Sequence, residues 1–215
     1  MRPGDRLPAE DVLSTEYGVA RMTIRQALQS LSNDGVLVRR HGHGTFVASP
    51  KIHRHATRMT GFHEDMLDGG MKPRSILLES GIEAASPSLQ KRLNLTGPDQ
   101  MVFIRRVRLS NDEPAAITES YFRADLCSKL LTLDIESNSL YALLERDCGL
   151  ELGWVEQSIE ACPSPKEAAR HLELRAGAPL LKVERLTYLK DGSSIGLSDT
   201  LYRSDRYVLT SVLYR

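Results

Sequence analysis

The stretch Tyr17-Gly18-Val19-Ala20-Arg21-Met22-Thr23-Ile24-Arg25-Gln26-Ala27-Leu28, with the Val36-Leu37-Val38 to Thr45-Phe46-Val47 segment behind it, decides the fold of the N-terminal part. Upstream, Leu7-Pro8-Ala9-Glu10-Asp11 opens a helix, with Pro8 suited to the first helical position and the acids to the positive end of the dipole. That helix stops near Tyr17, because Gly18 tolerates the left-handed backbone that ends helices. Val19 and Ala20 separate it from a second helix, whose Ile24, Ala27, Leu28 and Leu31 recur on one face and which Gly35 closes. Two helices joined through a tight glycine-containing turn make a helix-turn-helix.

The outer face of the second helix is rich in donors. Arg21 and Arg25 project from one side near the end that enters a major groove, Thr23, Gln26 and Gln29 add hydrogen-bonding groups, and Met22 suits a thymine methyl. Taken alone, this face reads more readily as the solvated side of a core helix. The segment downstream of it tips the balance. Val36-Leu37-Val38 reads as a strand, Arg39-Arg40-His41-Gly42-His43-Gly44 as a tight turn, and Thr45-Phe46-Val47 as the return strand. A basic hairpin directly after a helix-turn-helix makes it winged.

Length and composition fit this reading. The chain has 215 residues, enough for two unequal domains, and its 41% hydrophobic and 26% charged content is that of a globular protein. Apolar runs are far shorter than the roughly 20 residues of a spanning helix, and no export signal is evident, so the expected location is the cytoplasm. Cys127, Cys148 and Cys162 lack metal-site spacing and read as buried thiols. The zero net charge hides an asymmetry. Residues 1–58 hold nine Lys+Arg against five Asp+Glu, and the remainder 19 against 23, which puts the polyanion partner at the N-terminus.

Gly4-Asp5-Arg6-Leu7-Pro8-Ala9-Glu10, Tyr17 to Leu28, Leu31 to Gly35 and His41-Gly42-His43-Gly44-Thr45-Phe46-Val47 together resemble the GntR-type DNA-binding domain. The resemblance implies that Arg21 and Arg25 contact bases and phosphates, Thr23 the backbone, and the His41-Gly42 tip the minor groove. Arg39, Arg40 and His43 add donors to that tip. Three departures stand out. Asp11 replaces a basic residue, and Ala20 replaces a Ser/Thr cap worth about 1 kcal/mol. The family's first amphipathic helix, which covers Val12, Leu13, Ile24 and Leu28, has no counterpart after Met1; the expected explanation is a start set too far downstream or a trimmed chain.

Residues 50–57 read as a polar, basic linker between a DNA-binding domain (1–49) and a larger domain (58–215). Zinc at the His41/His43/His53/His55 group is disfavoured, since no cysteine or acid completes a ligand spacing. Beyond the linker, helices are expected at 61–69, 86–95, 139–148 and 165–172. Strands are expected at 75–84, 101–109, 115–122, 152–161, 180–189 and 194–202. Hairpin turns at Asn111-Asp112-Glu113-Pro114 and Asp191-Gly192 make this an α+β domain with a mainly antiparallel sheet. Phe62-His63-Glu64-Asp65-Met66, Arg106-Val107-Arg108, Ser139-Leu140-Tyr141, Ala178-Pro179-Leu180 and Tyr202 to Tyr207 resemble the UTRA effector domain of the HutC subfamily, whose fold is similar to that of chorismate lyase.

Arg106 and Arg108, two apart on a strand, point to one face. They repel unless an anion lies between them or acids such as Glu113 and Glu119 answer them. The resemblance places effector-binding arginines here, and Thr118, Ser139, Tyr141 and Tyr202 add hydroxyls. Family members often carry acids where Thr118 and Gly196 stand, so a plain carboxylate or phosphate effector is expected rather than an amino-bearing one. The reading is thus a homodimeric repressor of double-stranded operator DNA, without cofactor, metal or membrane partner. Two alternatives remain: an effector-binding protein with an impaired DNA head, and a lyase-type enzyme. The enzyme is disfavoured because no nucleophile motif, metal-ligand set or phosphate-cradling loop is present, and His63 and His171 lack evident partners.

Overall fold

The computed structural model describes residues 1, 4–40, 43–48, 51–55, 58–95 and 99–213. Contacts divide the chain into Met1–Lys51 and Ile52–Arg215, and each unit is built on its own core.

In the first unit, α1 (Glu10–Tyr17) and α2 (Arg21–Asn33) are joined at Gly18, whose φ of 65° is the left-handed value its place requires. The first helix starts at Glu10 rather than at Pro8, with Ala9 as an N-cap that offers no side-chain acceptor. Ala20 likewise leaves α2 without a side-chain cap, as its methyl dictates. Strands β1 (Leu37–Arg40) and β2 (Gly44–Val47) pair antiparallel as the wing. Leu13, Leu28 and Leu37 form a small core, with Leu7, Ile24 and Val47 against it. Ala27 and Leu31, expected on the inner face, are exposed, and so is Val12.

The second unit begins with β3 (Ile52–His55), which pairs in parallel with β10 (Tyr207–Thr210). Residues 52–55 are therefore a strand where the sequence reads as linker, because Ile52 is fully buried against Met66 and Tyr207. The main sheet has the order β4-β5-β6-β9-β8-β7 and is antiparallel throughout. Its strands are β4 (Pro73–Ala84), β5 (Gln100–Ser110), β6 (Glu113–Arg123), β7 (Leu152–Pro163), β8 (Pro179–Leu189) and β9 (Ser194–Arg203). Helices α4 (Pro87–Leu93) and α7 (Lys166–His171) cover one face through Leu89, Leu93, Ala168 and Leu172. The other face carries α3 (Phe62–Asp68) and α6 (Leu140–Arg146), with α5 (Ala124–Cys127) and a 3-10 turn at Ser128–Thr132 leading toward the latter. Two apolar clusters form on this face, one around Met66 and Tyr202 and one around Phe122 and Leu143.

Candidate functional site

On α2, Arg21, Met22, Thr23, Arg25 and Gln26 are all exposed, as an outward polar face requires. The two arginines are not free: Arg21 Nε lies 3.3 Å and Arg25 Nη2 2.9 Å from the Glu10 carboxylate of α1. Arg25, then Arg21, hold that carboxyl below its ordinary range. Sequence reasoning assigned Glu10 a helix-dipole role and missed this clamp across the turn. Even so, the arginine side chains remain 61% and 47% exposed. On the wing, Arg39 and His43 are exposed, whereas His41, Gly42 and the side chain of Arg40 lie outside the described residues. Gly44 has a φ of 112°, a backbone conformation that favours glycine, and the Arg6 guanidinium lies where a Cβ would approach it at 3.0 Å. Among the described residues, no three metal-ligating side chains converge.

The second unit contains a cavity of about 60 Å³ over the β5-β6-β9-β8 floor, roofed by Gly61–His63 and the start of α6. All six residues expected to bind an effector line it: Arg106, Arg108, Thr118, Ser139, Tyr141 and Tyr202. Strand alternation does the sorting. Arg105, on the opposite face, is answered by Glu119 at 3.1 Å and Glu167 at 2.8 Å, and Glu113 goes to Arg206. Thus the acids expected to neutralise the arginine pair are engaged elsewhere. Arg106 and Arg108 are 2% and 4% exposed and have no carboxylate within ion-pair distance among the described residues. Arg106 donates one bond to the Ile135 carbonyl, while Arg108 lies over the Phe62 ring at 4.7 Å with its Nε unpartnered.

Electrostatics follow from this burial. Desolvation and then the charge of Arg108 push Arg106 well below its ordinary value. Burial lowers Arg108 to about 10, so it still carries its charge at neutral pH. His63 on the roof is lowered by burial first, with both arginines adding to the effect against Glu64. Burial raises Tyr141 and Tyr202 to about 12, leaving them as neutral hydroxyl donors. On the floor, the Thr118 and Thr200 hydroxyls meet at 3.2 Å, and Ser198 donates to Ser120 at 3.0 Å. Gly196, where the resemblance implies that an acid is often found, is closed to any side chain: a Cβ would run into the Phe122 ring and lie 2.5 Å from the Tyr121 carbonyl.

A winged helix-turn-helix joined to an antiparallel-sheet unit around a cationic, hydroxyl-lined cavity defines a ligand-responsive transcription regulator. The bacterial regulatory proteins, gntR family, match residues 1–47, and the UTRA domain matches residues 68–208. The chain belongs to the GntR family, with a UTRA domain as its C-terminal unit. It is 35% identical to the transcriptional repressor NagR of Bacillus subtilis, covering all of this chain and 88% of that protein. It is also 30% identical to the mannosyl-D-glycerate transport/metabolism system repressor MngR of Escherichia coli, covering 100% and 89%. The crystal structure of PhnF from Mycobacterium smegmatis superposes with a TM-score of 0.74 at 28% identity, covering 100% and 94%. Like these relatives, the chain is a transcriptional regulator and not an enzyme. No helix among the described residues is long and apolar enough to cross a membrane.

Proposed function

We propose that this protein is a homodimeric cytoplasmic repressor that grips operator DNA through Arg21, Met22, Thr23, Arg25, Gln26 and the wing, and is modulated by a small anionic, hydroxyl-bearing metabolite. The observation that carries the effector reading is the buried Arg106–Arg108 pair, which has no carboxylate at ion-pair distance among the described residues. Two guanidinium groups held together out of water are costly until an anion joins them, and their forks match carboxylate or phosphate oxygens. Thr118, Ser139, Tyr141 and Tyr202 supply hydroxyls for the rest of the ligand. One relative is named for mannosyl-D-glycerate, a sugar derivative that carries a carboxylate, which suits the same chemistry. The homodimer reading is supported by the general habit of two-fold proteins to read palindromic half-sites.

A mobility-shift titration on the protein's own upstream DNA tests the reading. Phosphorylated sugars and sugar acids are expected to change operator affinity, and replacement of Arg106 or Arg108 by Met to abolish that response while DNA binding persists. Modulation by cationic or neutral sugars alone would overturn it.

A further inference from the structure

A third arginine faces the same cavity from its far side. Arg185 on β8 lies three strands from Arg106, on the order of 14 Å from backbone to backbone, with β6 and β9 between. It is 7% exposed. Its Nε donates to Gln157 Oε1 at 2.9 Å and its Nη1 to the Thr60 carbonyl at 2.7 Å. Its Nη2 has no partner among the described residues. A buried guanidinium with an unanswered N–H is expensive unless something arrives to accept that bond.

The charge balance points the same way. Among the described residues, Arg106, Arg108 and Arg185 line the cavity, and no Asp or Glu does. Behind Arg185 stands Arg54, whose charge meets the buried Asp65 at 3.2 Å. The half-buried Glu64 accepts from the Gly61 N–H and offsets part of the Arg108 charge, at the other end of the cavity from Arg185. One anion at the Arg106–Arg108 end leaves the Arg185 end uncompensated. Between the two ends, the hydroxyls of Thr118, Thr200, Ser120 and Ser198 form a neutral floor.

We propose that Arg185 is an effector-binding residue and that the effector is a two-ended acid. One anionic group sits between Arg106 and Arg108, a hydroxylated middle lies over the β6–β9 floor, and a second carboxylate or phosphate takes the free Nη2 of Arg185. This rests on the anion reading above and narrows the ligand to phosphorylated sugar acids and similar dianions.

Matched pairs of ligands test it on the full chain by calorimetry: glucose 6-phosphate against 6-phosphogluconate, and glycerol 3-phosphate against 3-phosphoglycerate. Each pair differs by the second acidic end. The wild type is expected to prefer the two-ended member of at least one pair by about tenfold or more. Arg185→Gln should erase that preference with little change for the one-ended ligand, and Arg106→Gln should weaken both members alike. Should Arg185→Gln fail to fold, Arg185→Met, an apolar residue of similar length, gives the same readout. A preference absent from the wild type, or surviving in both variants, overturns the role of Arg185 and leaves the anion reading intact. Absence of binding by any of the four ligands at millimolar concentration, or indifference of all of them to Arg106→Gln, overturns the anion reading itself.

Discussion

Arg54 and Arg185 donate to the same two acceptors, the side-chain oxygen of Gln157 and the carbonyl of Thr60. Arg54 reaches them at 2.7 and 3.1 Å, and Arg185 at 2.9 and 2.7 Å. One arginine belongs to β3, the first strand of the effector unit, and the other lines the cavity. Two cations that share acceptors are coupled: a ligand that draws Arg185 toward itself changes what is left for Arg54. Gln157→Ala removes the shared side-chain acceptor and leaves two buried guanidinium groups short of a bond. The expected cost is about 2 kcal/mol of folding stability, read from urea unfolding. A change of a few tenths would mean that the two arginines are satisfied in another way.

The cavity arginines predict the opposite sign. Arg108 carries a buried charge with no carboxylate at ion-pair distance among the described residues, so replacing it by an apolar residue of similar length relieves a penalty. Arg108→Met is expected to stabilise the ligand-free protein by about 1–3 kcal/mol while losing the response to anions. Thermal melts with and without ligand check both halves, and a destabilised variant would show that the arginine is there for structure.

Much of the fold and of the cavity is legible in the sequence, and the exceptions share a cause. The strand alternation of Met101 to Leu109 puts Arg106 and Arg108 on one face, and the same rule sends Arg105 to the other side. Ile52-His53-Arg54-His55 has one apolar residue and no period of its own. It becomes a strand because Tyr207–Thr210, far along the chain, lies beside it. Arg185 escapes a sequence reading although a signal exists, since it falls in phase with the buried Val183 and Thr187. A charge on the inner face of a strand marks a site, but the sequence does not say which strands will neighbour it. Glu10 escapes for the same reason: its partners are 11 and 15 residues away, across a turn whose angle the sequence leaves open.

Gly196 marks a place on the cavity floor where no single change can introduce a side chain. The Phe122 ring and the Tyr121 carbonyl fill the place of its side chain. Gly196→Ala is expected to cost about 2 kcal/mol or more in unfolding experiments, and Gly196→Glu to misfold rather than gain amino-sugar binding. A stable Gly196→Glu protein that binds an amino sugar phosphate would refute this account of the pocket's shape.

His63 gives the pH dependence. In the empty cavity its pKa lies below the ordinary 6.5, from burial and from the two arginines. The unfolded chain therefore binds this proton at a higher pH than the folded one, and the ligand-free protein loses stability as pH falls through 6.5. An anion between the arginines cancels their repulsion and raises His63 in the complex, so binding takes up a proton. Affinity should then rise as pH falls through the value in the complex and level off below that of the empty site. Sulfate, whose own charge is constant over this range, isolates the effect, and His63→Gln should flatten the curve.

The clamp on the recognition helix makes the last prediction. Glu10 holds Arg21 and Arg25 in one orientation and cancels part of their charge, so it trades attraction for aim. Arg25→Ala should weaken operator binding roughly tenfold or more and reduce the salt slope by about one. Glu10→Gln acts differently, because it frees both guanidinium groups. Binding to random-sequence DNA is expected to tighten and to become more salt-dependent, while the ratio of operator to random-sequence affinity falls. Fluorescence anisotropy on both DNAs over a salt series separates the two variants. If Glu10→Gln weakened both DNAs equally, Glu10 would be supporting the helix pair rather than steering its arginines.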